Sequence, residues 1–202
     1  MASIGIVYYS MYGHTTEMAR TLKQGIEKDG GEAHLRLVPE LLPQQLIEDQ
    51  GVATVDQLDD VEEASVDELP GFDGIIFGSP TRFGNRAAQL SNFLDQTGPL
   101  WQAGELHGKT AGFFTGAATM HGGHESTILT MSTYAMHLGM VIVPAGYALG
   151  ETMGATRTGG SPYGPTHWSP QGGTKDGLSD DESQIALSYA QWFHQVTEKL
   201  AA

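Results

Sequence analysis

The stretch Ile4-Gly-Ile-Val-Tyr-Tyr-Ser-Met-Tyr-Gly-His-Thr-Thr-Glu17 decides how the rest of the chain reads. Ile4, Ile6 and Val7 belong to a short apolar, β-rich run that breaks at Ser10 into small and hydroxylated residues, after which Met18, Ala19 and Leu22 restart at helical spacing. Strand, polar loop, helix is the reading. A helix that begins at such a loop points unpaired backbone N–H groups at whatever precedes it, and its dipole adds positive potential there. That makes the loop a candidate anion site. Ser10, Thr15 and Thr16 add hydroxyl donors, and Gly13 lets the backbone curl close to a phosphate with no Cβ in the way. Neither GxxxxGK(S/T) nor GxGxxG occurs here, so this loop is not built for a nucleoside triphosphate or a dinucleotide pyrophosphate. A cysteine-dependent phosphatase loop is excluded as well, because the chain has no cysteine. Taken alone, an ordinary N-capped first helix explains the stretch equally well.

Working outward, residues 16 to 29 set apolar Met18, Ala19, Leu22 and Ile26 against polar Glu17, Arg20, Lys23 and Glu27, with Gly30-Gly31 as a stop. His34 to Val38 reads as a second strand ended by Pro39, which makes a parallel βαβ unit. Regularity then fails from Pro39 to Ser65, an acidic stretch read as an exposed insertion with one helix around Leu41, Leu42, Leu46 and Ile47. Gly74-Ile-Ile-Phe-Gly78 is a continuous apolar run of the kind expected of a buried parallel strand. Further strands are expected at Lys109 to Phe114 and Met140 to Val143, and helices at Ala87 to Gln96 and about Glu125 to His137. The segment 144 to 177 is dense in glycine, carries Pro144, Pro162, Pro165 and Pro170, and has no usable period. Ser179 is the expected N-cap of a last helix, with Asp180, Asp181 and Glu182 in its first turn.

A chain of 202 residues is long enough for one domain with a substantial core, and 1–202 is read as a single domain. Its net charge of −14 argues against a nucleic-acid partner, since that affinity comes largely from clustered cations. The absence of cysteine excludes a disulfide framework, and no signal-like segment or run of about 18 apolar residues is present. A cytoplasmic protein with no membrane span is expected. His121 and His124 have half-site spacing for zinc, but no second Cys or His cluster pairs with them, so no metal is expected.

Three strands end in polar, glycine-bearing loops, at Ser10, Ser79 and Thr115. In an open parallel sheet ligands bind at the carboxyl ends of the strands, so these loops should face one crevice. The first can hold a phosphate; the others offer Thr81, Arg82, Phe83, Asn85, Thr119 and Gly122-Gly123 to a planar ring. One phosphate plus one flat heterocycle is a mononucleotide.

The chain resembles the WrbA family of flavodoxin-like NAD(P)H:quinone oxidoreductases over nearly its whole length. The resemblance is carried by Tyr9-Ser-Met-Tyr-Gly-His14, Gly78-Ser-Pro-Thr-Arg-Phe-Gly-Asn85, Thr97-Gly-Pro-Leu-Trp101, His121-Gly-Gly-His-Glu125, Gly139-Met-Val-Ile-Val-Pro144 and Gly146-Tyr147. It implies an α/β, flavodoxin-like, doubly wound sheet of five parallel strands in the order 2-1-3-4-5, with helices on both faces and insertions at about 39–65 and 144–177. It also implies noncovalent FMN, a homotetramer, and two-electron reduction of quinones by NADH or NADPH. Carried over by position, Ser10, Met11, Tyr12, Gly13, His14 and Thr15 would hold the FMN phosphate. Pro80, Thr81, Arg82 and Phe83, with Asn85, would line the flavin ring. Thr115, Gly116, Ala117, Ala118, Thr119, Gly122 and Gly123 would close its other edge, and Gly116-Ala-Ala replaces hydroxyl residues common in relatives, which favours backbone contacts there. His137 matches a position beside the flavin, Trp101 a ring bounding the substrate pocket, and Tyr12 a nicotinamide contact. Arg82 and His137 would steady the reduced ring as catalytic residues.

Two other readings are compatible with these residues. A flavodoxin-type one-electron carrier suits the acidic charge, and an FMN-binding regulatory protein needs no turnover at all.

Overall fold

Alternate residues of the first strand point to opposite faces, and each face finds a different set of helices. Ile4, Ile6 and Tyr8 join Met18, Leu22, Ile26, Tyr189 and Phe193 on one side, whereas Val7 and Tyr9 join Leu90, Phe93, Leu94, Ile128 and Met131 on the other. The computed structural model describes residues 1–52, 54–169 and 177–201. Position 53 in the first insertion and 170–176 in the second, Pro170 included, lie outside the described residues.

The first half of the chain runs β1 (Ser3–Tyr8), α1 (His14–Lys28), β2 (Glu32–Leu37), α2 (Gln44–Gln50), β3 (Glu62–Glu63), β4 (Gly74–Pro80), α3 (Ala88–Asp95) and α4 (Gly98–Ala103). The second half runs β5 (Thr110–Ala117), α5 (His124–His137), β6 (Val141–Ile142), α6 (Thr152–Ala155), β7 (Thr166–Trp168) and α7 (Asp180–Ala201). The strands form one sheet in the order β3-β2-β1-β4-β5-β6, all parallel, with β7 also on β5. Five consecutive positions, β2-β1-β4-β5-β6, keep the expected order.

The expected count of five strands is corrected to seven, because both insertions contribute to the sheet. Arg36 and Leu37 pair with Glu62 and Glu63, so the acidic insertion adds a short edge strand. The last sheet position is shared by two pieces. Thr110 and Ala111 pair with Val141 and Ile142, while Thr115, Gly116 and Ala117 pair with Thr166, His167 and Trp168. A short, polar, charge-bearing or split strand blunts the exposed edge of a sheet. The intervening chain leaves the sheet after β6 and returns to it as β7, which sequence periodicity cannot reveal in a three-residue strand.

Helices α1 and α7 lie side by side, and Gly25 permits the approach: a Cβ built there would stand 2.6 Å from the Ala190 Cβ. The start of α7 is the expected N-cap, elaborated into a reciprocal capping box. The Glu182 N–H donates to the Ser179 hydroxyl at 3.2 Å and the Ser179 N–H donates to the Glu182 carboxylate at 3.0 Å. No described helix is long and apolar enough to cross a membrane.

Candidate functional site

Sheet order reverses between β1 and β4, and the loops that follow these strands flank the crevice this creates. After β1 the chain turns at Gly13, whose φ of 91° lies in the left-handed region, and α1 then starts with no side chain capping it. The Gly13 N–H donates to the Ser10 hydroxyl oxygen at 3.2 Å, which curls the loop and leaves that hydroxyl's own proton to be offered elsewhere. Ser10 and Thr15 are buried at the loop's two ends. An uncapped helix start behind a left-handed glycine is a cradle for an anion.

The loop after β4 is built as a tight hairpin. Arg82 and Asn85 exchange backbone hydrogen bonds at 2.7 and 3.1 Å, and Phe83 and Gly84 both take positive φ between them. Phe83, at φ 54°, thereby presents its whole ring to solvent. Thr81 is the hub: its hydroxyl donates to the Gly122 carbonyl at 3.3 Å and accepts from the Gly84 N–H and the Thr127 hydroxyl at 3.2 and 2.9 Å. Its own N–H donates to the Gly116 carbonyl at 2.8 Å, which ties this loop to the end of β5.

A cavity of about 280 Å³ lies between the loops, lined by Ser10, Met11, Tyr12, His14, Thr15, Pro80, Thr81, Arg82, Gly116, Ala117, Ala118, Thr119 and Ser169. Twelve of these were expected from the sequence; Ser169, reached through β7, was not. At the mouth the Arg82 guanidinium donates to the Thr81 carbonyl at 3.1 Å and approaches the Met11 sulfur at 3.2 Å. Among the described residues no carboxylate pairs with it, so its charge stays available to the cavity.

Other expected residues are placed differently. Gly13 lines a neighbouring cavity of about 430 Å³, on the far side of His14. Thr115 is buried and spends its hydroxyl on the Ser79 carbonyl at 2.6 Å. Phe83 sits at the hairpin tip and Asn85 at its closing pair, both beyond the cavity lining. Gly122 and Gly123 bring two loops together, since a Cβ on Gly123 would fall 2.7 Å from the Gly84 Cα. His137 and Trp101 are exposed and line a separate groove of about 250 Å³ with Arg86, Thr97 and Tyr134. Within one chain they do not reach the cavity.

Behind the cavity stands a carboxylate that the sequence marks only as a helix-start acid. Glu182 is 1 % exposed and accepts from the Thr158 hydroxyl, the Gly159, Trp168 and Ser179 N–H groups, and His167 Nδ1. Burial alone would raise its carboxyl, but the bonds from His167, Thr158, Trp168 and Ser179 outweigh that and hold it down at about 2. Its spacing from Ser179, the capping-box interval, was the available signal. Glu40 is a second such anchor. Burial would raise it, but bonds from Gln89, Tyr9 and the Leu41 and Leu42 N–H groups lower it, and the Tyr9 hydroxyl donates at 2.5 Å.

Residues 6–154 match the family model for NADPH-dependent FMN reductase. The chain belongs to that family. Two NAD(P)H dehydrogenase (quinone) proteins align with this FMN reductase family member over 199 residues. The one from Geobacter sulfurreducens is 47% identical and the one from Geobacter metallireducens 44%, each alignment covering 96% of this chain and 97% of the relative. Identity at that level over that length places the chain among these quinone dehydrogenases too. Among solved structures, a flavodoxin, WrbA-like protein from Agrobacterium tumefaciens superposes with TM-score 0.67 at 22% identity, covering 98% of this chain and 99% of that one. An archaeal flavodoxin gives 0.61 at 16% over 99% of both chains. These two establish that the family member has a flavodoxin-like fold.

Proposed function

We propose that the protein binds FMN noncovalently in the 280 Å³ cavity and reduces quinones to hydroquinones with NADH or NADPH. The observation that carries this reading is the uncapped start of α1 behind Gly13, opening on the same cavity as Arg82 and the backbone of Gly116 to Thr119. The residues present fit the group: an anion cradle at one end, and small side chains at Gly116, Ala117 and Ala118 that leave room for a flat ring at the other. The names of the related proteins support the same chemistry.

When bound, FMN would supply the hydride chemistry that links nicotinamide to quinone, in ping-pong order. Ser10 and Thr15 would donate hydrogen bonds from their hydroxyls to the phosphate, together with the N–H groups that open α1. Pro80 and Thr81 would bound the ring, Arg82 would offset negative charge that develops on reduction, and Tyr12, exposed on the cavity lining, would meet the nicotinamide. Trp101 and His137 can serve the ring only if another protomer brings their groove to the cavity mouth. A homotetramer is therefore part of the proposal, and Trp101, Met136, Tyr147 and Tyr163 are exposed apolar side chains suited to such contacts.

Anaerobic addition of NADH or NADPH to the FMN-loaded protein tests the reading. Direct bleaching of the visible flavin band, and its return on adding a quinone, is the expected result. Persistence of the oxidised spectrum until a separate reductase is supplied would instead support the one-electron carrier, which the net charge of −14 and the flavodoxin-like fold accommodate.

A further inference from the structure

Within the loop after β1 the cradle is held by little more than the bond from the Gly13 N–H to the Ser10 hydroxyl. Gly13 has no Cβ to restrict its backbone, a Cβ there would meet no atom within 4 Å, and no side chain caps α1. A cradle of backbone N–H groups is selective only while those groups stay aimed, so support from behind the first turn of α1 bears on its selectivity.

Behind it lies His167. Register places this residue opposite Gly116 at the end of β5, and it is 4 % exposed. Its Nδ1 is 2.9 Å from Glu182 Oε2. With five donors around it Glu182 is ionised and can only accept, so His167 Nδ1 must carry the proton of that bond and Nε2 is left at the opposite edge of the ring. The His167 ring packs against His14, with centroids 5.7 Å apart and planes tilted by 36°. His14 is the first residue of α1 and the wall between the two cavities, while His167 lines the second. Glu182, His167 and His14 thus form a continuous line from the start of α7 to the anion cradle.

Other charged groups nearby are already committed. Arg20, across the second cavity, pairs with Asp60 at 2.6 Å and Glu17 at 3.0 Å. His124, at the start of α5, is pushed below the usual histidine range chiefly by burial and also by His167, with Glu125 and Glu182 opposing. His167 is buried, anchored and in ring contact with His14, which fits it to influence where His14 sits.

We propose that His167, anchored by Glu182, is a positioning residue that braces His14 and the first turn of α1, so that preference for phosphorylated flavin over riboflavin depends on the segment that ends in β7. This rests on the cofactor reading above and concerns only the phosphate end of the ligand.

Fluorescence titration of the full-length, flavin-stripped protein with FMN and with riboflavin is the experiment. His167→Ala should weaken FMN about tenfold and leave riboflavin unchanged. If that variant does not fold, His167→Leu keeps buried volume while removing the anchor to Glu182, and the same outcome is expected. The ³¹P resonance of bound FMN should shift in either variant. Equal losses for both flavins, or no loss for either, would overturn the positioning role while leaving the cofactor reading intact. A wild-type protein that binds riboflavin as tightly as FMN, or neither, would sink the cofactor's phosphate site and this inference with it.

Discussion

The Arg82 guanidinium lies 3.2 Å from the Met11 sulfur and so spans the cavity mouth, joining the loop after β4 to the loop after β1. A cation held there by a soft, uncharged partner keeps its field.

That geometry predicts a redox effect. Arg82→Ala should lower the midpoint potential of the bound flavin's two-electron couple while changing affinity for oxidised FMN less. A unit charge at close range is worth roughly 1–4 kcal/mol between the aqueous and protein-surface limits, or about 20–90 mV for two electrons. Because Arg82 is exposed, the lower end is expected. Spectroelectrochemical titration decides it; an unchanged potential removes Arg82 from the reaction.

Cofactor retention should depend on the two buried hydroxyls that bracket the loop. Each hydrogen bond to a charged acceptor contributes on the order of 1.5–3 kcal/mol, so the Ser10→Ala, Thr15→Ala double variant should bind FMN at least about tenfold more weakly. Fluorescence titration showing wild-type affinity would put the phosphate elsewhere.

Glycine at 123 is required twice over, and glycine at 13 only once. Both have left-handed φ, of 105° and 91°, which costs an L residue about 1–2 kcal/mol. Only at 123 does a Cβ also meet backbone, the Gly84 Cα at 2.7 Å. Gly123→Ala should therefore lower the melting temperature more than Gly13→Ala, and calorimetry on the two variants checks the order.

The Glu182 network should show in the pH dependence of stability. Its carboxyl is held at about 2 in the folded chain against an ordinary value of 4.5. A group depressed on folding stabilises the native state above its unfolded value and loses that contribution as pH falls toward the folded one. Thermal melts of wild type and Glu182→Gln should differ most above about pH 5 and converge between about 4.5 and 2. A gap that is independent of pH would mean the carboxylate's charge is not what holds the segment.

Much of the fold was legible because its signals are local. The apolar runs at Ile4 to Val7 and Ile75 to Phe77, each ending in a glycine-bearing polar loop, mark buried parallel strands whose ends face a crevice. Twelve lining residues of the cavity followed from that alone or from the family resemblance. Strands β3 and β7 did not, since two or three residues carry no period and pair only because the sheet edge is already there. Nothing in the local spacing after residue 144 says what orders that segment. Within one chain, Glu182 already gathers the Thr158, Gly159, His167 and Trp168 donors of that segment.

By itself the sequence determined the doubly wound core, the three loops of the crevice and the anion-binding character of the first, because hydrophobic period and helix-start chemistry act over a few residues. Tertiary structure alone decided that His167 stands behind His14, that Arg82 reaches Met11, and that Trp101 and His137 share a groove away from the cavity. Those relationships join residues tens to more than a hundred positions apart. They depend on strand register and on the path of the long segment, and neither is encoded in local spacing.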